Sequence, residues 1–135
     1  MRNQPCRIVR LLLIIGSAVL IGSHATAQED PCDRDSEAFY VKIKVRNNTP
    51  TEVVRGVKNA DDLHVCRGDT IEWKLQNKKF FINFRDRTPF DSHEKTSRNG
   101  KITTVVSESA DRGVAYKYDI GIDGGGTLDP TIIVD

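Results

Sequence analysis

The sequence predicts an all-β domain: an antiparallel Greek-key β-sandwich of about seven short strands. Two observations predict it. Runs of five to nine residues alternate apolar and polar side chains, as strands with one buried face do. Between them lie Asn-, Gly- and Pro-containing turn signals, and past the N-terminal 27 residues no long stretch shows a 3.6-residue apolar period.

The run that organises the chain starts at Cys66-Arg67-Gly68-Asp69, a turn that opens into Thr70-Ile71-Glu72-Trp73. Ile71, the single tryptophan Trp73 and Leu75 share one face, and Thr70, Glu72, Lys74 and Gln76 share the other. Ahead of it, Phe39, Val41, Ile43 and Val45 alternate with Tyr40, Lys42, Lys44 and Arg46, a second half-buried strand. Asn47 to Pro50 signals a turn, and Val53, Val54 and Val57 suit a short strand or a packed loop. Residues 59–62 are expected to cap one short helical turn before Leu63-His64-Val65 leads to Cys66. After the turn at residues 77–79, Phe80, Ile82 and Phe84 alternate with Phe81, Asn83 and Arg85. Residues 88–100 are polar and turn-rich and read as the least ordered part. β-Branched residues 102–106, the alternating run 114–122 and Ile132 to Val134 supply the remaining strands.

The first 27 residues read as a secretory signal peptide. Arg2, Arg7 and Arg10 precede an apolar run from Leu11 to Ile21, and Ala25-Thr26-Ala27 offers a small-residue cleavage site. The run is about half the length of a spanning helix, so no transmembrane anchor is expected in the mature chain. Residues 28–38 then form a polar segment pinned by Cys32, and residues 39–135 one domain, exported to a periplasmic or extracellular compartment. Loss of three arginines turns 20 basic against 19 acidic residues into 17 against 19, a net charge of −2. No basic excess is left to release counterions from a phosphate backbone, which excludes a nucleic-acid partner.

Cysteine usage points the same way. Cys6 leaves with the signal, so Cys32 and Cys66 remain as a pair in an oxidising compartment. A bridge between them closes a loop of roughly 35 residues, worth about 4 kcal/mol in the chain-entropy model. The competing reading is a thiolate metal site with His64, which projects to the same side of the strand as Cys66. Two ligands do not close such a site, and the disulfide is preferred.

Gly68 to Trp73, followed by Phe80-Phe81-Ile82, Tyr116-Lys117-Tyr118 and the closing Leu128-Asp129-Pro130-Thr131-Ile132-Ile133-Val134, resembles the cupredoxins, the blue-copper sandwich proteins. The resemblance covers residues 39–135 and implies a site formed by a histidine after the central strand and by cysteine, histidine and often methionine near the C-terminus. Phe80 falls where the first histidine belongs and Ile120 where the cysteine does, and no histidine, cysteine or methionine follows His93. The resemblance therefore implies a copper-free member with no cofactor, since soft ligands are what hold copper.

Other chemistry finds little support. His93 lacks an orienting partner, and Ser92, Ser97, Ser107 and Ser109 lack the context of a nucleophile. Asp119, Asp123 and Asp129 do not have the spacing of a calcium loop, and Gly124-Gly125-Gly126 reads as a mobile connection. Lys78, Lys79, Arg85 and Arg87 beside Phe80, Phe81 and Phe84 read as the solvated rim of an aromatic strand. The reading is a non-catalytic binding module for an unknown protein or small ligand. Its alternative is a metal- or redox-handling protein built on His64 and Cys66. By analogy with the cupredoxins, recognition is expected where residues 77–80 meet residues 121–128, with Lys79, Asp123 and Leu128 on one surface.

Overall fold

The computed structural model describes residues 29–135, so the expected signal peptide at residues 1–27 lies outside the described residues. Among the described residues no helix is long and apolar enough to cross a membrane. The fold is all-β, and its strands form two sheets facing one aromatic core.

β1 (Ala38–Arg46) buries Phe39, Val41 and Ile43 and exposes Tyr40, Lys42 and Lys44, as its alternation dictates. Asn47 and Asn48, at φ 49° and 58°, then reverse the chain into β2 (Thr49–Arg55). Two successive residues at positive φ are what a tight hairpin turn demands, and asparagine tolerates them. β3 (Lys58–Asn59) extends this sheet at its edge. No helical turn follows. Asn59 instead bonds the Asp61 backbone N–H and carboxylate through its side chain, both at 2.8 Å, and the chain passes directly into β4 (Asp62–Val65). Asparagine's local side-chain bonding outcompeted the helical turn its position suggested.

β4 lies on the edge of the second sheet, and the chain then returns to set β5 (Thr70–Lys74) beside β1. That crossing makes β1 and β5 parallel, with Phe39 opposite Ile71 and Val41 opposite Trp73. β11 (Thr131–Val134) and β4 are parallel as well. Both sheets are thus mixed, which corrects the expectation of a wholly antiparallel sandwich. Alternation marks a buried face but not strand direction, so the sequence pattern was blind to this difference. The first sheet has the order β3-β2-β1-β5-β8, with β8 spanning Lys101–Val105. The second has the order β4-β11-β9-β6-β7, built with β6 (Phe80–Phe84), β7 (Glu94–Thr96) and β9 (Val114–Ile122), and β10 (Thr127–Leu128) pairs with β9. Among the described residues eleven strands replace the expected seven or so: β3, β7 and β10 are too short to leave a pattern, and β4, expected to lead into the central strand, pairs in the other sheet.

Trp73 centres the core. Its ring meets those of Phe90 and Tyr118 edge-on, each with centroids 5.8 Å apart, and Tyr118 stacks on Phe84 at 5.0 Å. Such contacts add about 0.5–1.5 kcal/mol per pair beyond the area buried. Phe90 belongs to the segment expected to be least ordered, yet it is buried, and β7 follows it. One aromatic anchor fixes a stretch whose polar composition concealed it.

The polar N-terminal segment is held by more than Cys32. Cys32 and Cys66 form a disulfide with α-carbons 5.5 Å apart. Beside it the fully buried Asp69 carboxylate accepts bonds from Arg34 Nη1 (3.1 Å) and Nη2 (2.8 Å), Glu37 N (2.8 Å) and Cys66 N (2.7 Å). Burial pushes the Asp69 pKa upward, but the Arg34 guanidinium and the two backbone N–H groups outweigh it and hold the carboxyl below its ordinary range.

Candidate functional site

Three turns meet at one end of the two sheets. Asn77, at φ 60°, turns the chain between β5 and β6, and Lys78 Nζ reaches the Asn48 side-chain oxygen at 2.5 Å. From β9 the chain reverses through residues 123–126, where Gly125 N donates to Ile122 O at 2.9 Å. Gly126 N then donates to Asn48 O at 3.3 Å. A β-carbon on Gly125 would collide with that same carbonyl, and one on Gly126 would lie 2.5 Å from Thr49 Cγ2. The glycines are therefore there for close packing against the asparagine turn, which replaces the reading of a mobile connection.

Lys79 and Asp123 line one small depression of about 190 Å³, together with Phe80, Phe81, Glu94 and Thr96. Lys79 also borders a neighbouring cleft of about 520 Å³ formed with Asn77, Lys78, Ser97, Asn99 and Gly100. Leu128 does not line either hollow. It pairs with Ile120 and packs half-buried on the core. The fold thus brings two of the three expected recognition residues together and gives the third a packing role. A two-residue strand, β10, turns Leu128 toward the core, and two residues carry too little pattern to foresee it.

The positions at which the family resemblance implies copper ligands are apolar and closed. Phe80 is opposite Ile122 in the β6–β9 register, Ile82 is opposite Ile120, and all four are buried. Cys66 sulfur is bonded to Cys32, so no Cys66 thiolate exists in this oxidised form for a site with His64. His64 itself is exposed and its Nδ1 lies 2.9 Å from an Asp135 carboxylate oxygen. Among the described residues no group of three or more His, Cys, Asp or Glu side chains is arranged to hold a metal ion.

His93 occupies a third hollow of about 300 Å³ with Asp86, Arg87, Ser107, Ser109, Asp111 and Tyr116. Its Nδ1 donates to Phe84 O at 2.8 Å, because a carbonyl can only accept, and this leaves Nε2 as the unprotonated nitrogen of the neutral ring. Ser107 and Ser109 bond each other at 2.8 Å, and Arg87 is paired with Asp111. These groups satisfy one another.

Sequence reasoning missed two features. Asp69 read as a turn residue, although its position three residues after Cys66 lets its carboxylate reach back to the Cys66 N–H. Alternation puts Lys42 and Lys74 on outward faces but does not make them neighbours, because strand register, not sequence, decides that. No protein-family model matches the chain, and no curated protein matches it.

Proposed function

We propose that the chain is an exported, non-catalytic binding module on a copper-free cupredoxin-like sandwich, recognising its partner at the end where residues 77–80 meet residues 121–128. The observation that carries the reading is the pairing of Phe80 with Ile122, both buried, at the edge of the depression shared by Lys79 and Asp123. Apolar packing occupies the place where the resemblance puts metal chemistry, while a cation and an anion converge at its rim. A rigid sandwich holding a cation and an anion on neighbouring turns is suited to orienting a partner. The Cys32–Cys66 disulfide supports export, since such bonds persist in oxidising compartments.

The metal- or redox-handling alternative needs a free Cys66 thiolate, which the disulfide removes. Two measurements separate the readings. The protein as isolated from its native compartment, titrated with copper(II), should develop no intense visible thiolate-to-copper band, and an intense band would favour the alternative. Affinity capture from the native compartment should recover a partner with wild type that a folded Lys79→Ala/Asp123→Ala variant loses. Retention of every partner at unchanged melting temperature would remove the loop end from consideration.

A further inference from the structure

The outward face of the first sheet carries a row of three lysines set by register. Lys42 on β1 is directly opposite Lys74 on β5, and Lys74 is directly opposite Lys101 on β8. At the spacing of neighbouring strands the row is about 10 Å long. All three are exposed. Lys101 pairs with Glu72 at 3.6 Å, and among the described residues neither Lys42 nor Lys74 takes part in an ion pair, although Glu72 lines the same groove as both. Like charges directly opposite one another are unfavourable, and Glu72 pairs with Lys101 alone, so a further anion over Lys42 and Lys74 would stabilise the sheet. It stands on a domain whose mature net charge is −2, so it is a local concentration and not a reflection of a basic protein.

The backbone beside the row is open as well. Pairing of β1 with β5 stops at Lys42–Lys74, whereas pairing of β1 with β2 runs on to Arg46–Thr49. Leu75 turns toward β8 instead, its N–H donating to Gly100 O at 2.9 Å. The two parallel strands therefore splay, and a groove of about 540 Å³ lies between them, lined by Lys42, Ile43, Glu72, Lys74, Leu75 and Gln76. Tyr40, two-thirds exposed, stands over the same groove.

We propose that this notch is a docking site for an acidic peptide in extended conformation, whose carboxylates neutralise Lys42 and Lys74 while its main chain pairs with the free edge of β1. The row and the edge together select a peptide. A polyanion of sugar or lipid headgroups can neutralise lysines, but only a peptide brings backbone donors and acceptors at the repeat of a strand. Tyr40 offers an amphipathic wall of the kind enriched at recognition surfaces. The site is separate from Lys79 and Asp123 and does not depend on them.

The test is fluorescence anisotropy on the protein with its disulfide intact. The probe is a fluorescein-labelled decapeptide of alternating Glu and Val. Binding should weaken with added salt, fall about tenfold in Lys42→Ser/Lys74→Ser through loss of two charge contacts, and stay at wild-type strength in Lys79→Ala/Asp123→Ala. A peptide with Gln in place of Glu should bind more weakly. Of two Glu peptides N-methylated at alternate residues, one should lose affinity, because one set of N–H groups faces the β1 edge. The Lys42→Ser/Lys74→Ser variant should melt at or above the wild-type temperature, since relief of repulsion separates lost binding from lost fold. Absence of binding, equal binding by the double lysine variant, or indifference to both methylation patterns would overturn the proposal. So would lysine-dependent binding of heparin oligosaccharide or phosphatidylglycerol vesicles at least as tight as that of the peptide, or a lysine-dependent dimer in sedimentation velocity.

Discussion

Trp73 Nε1 donates a hydrogen bond of 3.1 Å to the Tyr118 hydroxyl, joining the first sheet to the second at the centre of the core. Both side chains are fully buried. Burial pushes the Tyr118 pKa far above its ordinary value, and the bond from Trp73 opposes that rise only in part, so the hydroxyl stays neutral. An indole N–H in an apolar interior needs its acceptor, and no water is needed to supply one here.

Tyr118→Phe should therefore destabilise the protein more than its small volume change suggests. It leaves the Trp73 N–H buried without a partner, which costs about 1–3 kcal/mol. Urea unfolding monitored by tryptophan fluorescence measures it. A variant with wild-type midpoint would show that the bond contributes nothing net.

The disulfide gives a second expectation. It ties the segment before β1 to the turn before β5, and Cys32→Ser/Cys66→Ser should cost about 2–4 kcal/mol. Thiol titration of the native protein from its own compartment should find no free thiol at Cys32 or Cys66. Two reactive thiols in native protein would reverse the reading and reopen a thiolate site at Cys66.

How much of this was legible beforehand depended on pattern length. Long alternating strands such as β1 and β9, and the burial of Trp73, followed from a period of two and from apolar faces. The disulfide followed from there being two mature cysteines in a chain read as exported. The parallel pairings, Phe90 in the core and Leu128 turned inward were not legible, because each depends on which distant segment lies alongside. The loop-end site was half legible. Lys79 and Asp123 flank turns whose positions the sequence marks, but the fit of Gly125 against Asn48 arises only when two hairpins meet. The Lys42–Lys74–Lys101 row arises the same way, from the register of three strands.

Acid should act through Asp69. Its folded pKa is depressed, so its stabilising contribution is complete above the ordinary carboxylate value of about 4 and is lost as pH falls through the lower folded value. At neutral pH, Asp69→Asn should cost about 1–3 kcal/mol by weakening four hydrogen bonds at a buried site. The gap between wild type and variant should narrow below about pH 4, where wild type also loses the charge. Guanidinium unfolding at a series of pH values measures both. A gap that stays constant down to acid-unfolding conditions would mean that the charge on Asp69 is not what stabilises the segment around Arg34.

Two adjacent glycines should respond differently to the same substitution. Gly124 sits at φ 67° with open space around its α-carbon, so Gly124→Ala meets only backbone strain, about 1 kcal/mol. Gly125 carries no such φ, but an added methyl would strike the Asn48 carbonyl, a backbone atom that cannot swing aside. Gly125→Ala must push the β9–β10 reversal away from the asparagine turn and break the bond from Gly126 N to Asn48 O. That should cost about 1–3 kcal/mol and expose the Asn48 carbonyl. Melting temperatures of the two single variants rank the effects, and hydrogen exchange at the Gly126 amide locates them. Faster Gly126 exchange in Gly125→Ala but not in Gly124→Ala is the expected result. Equal melting temperatures with unchanged Gly126 exchange would show that the two turns are not in contact in solution, and that the glycines serve a freely moving loop after all.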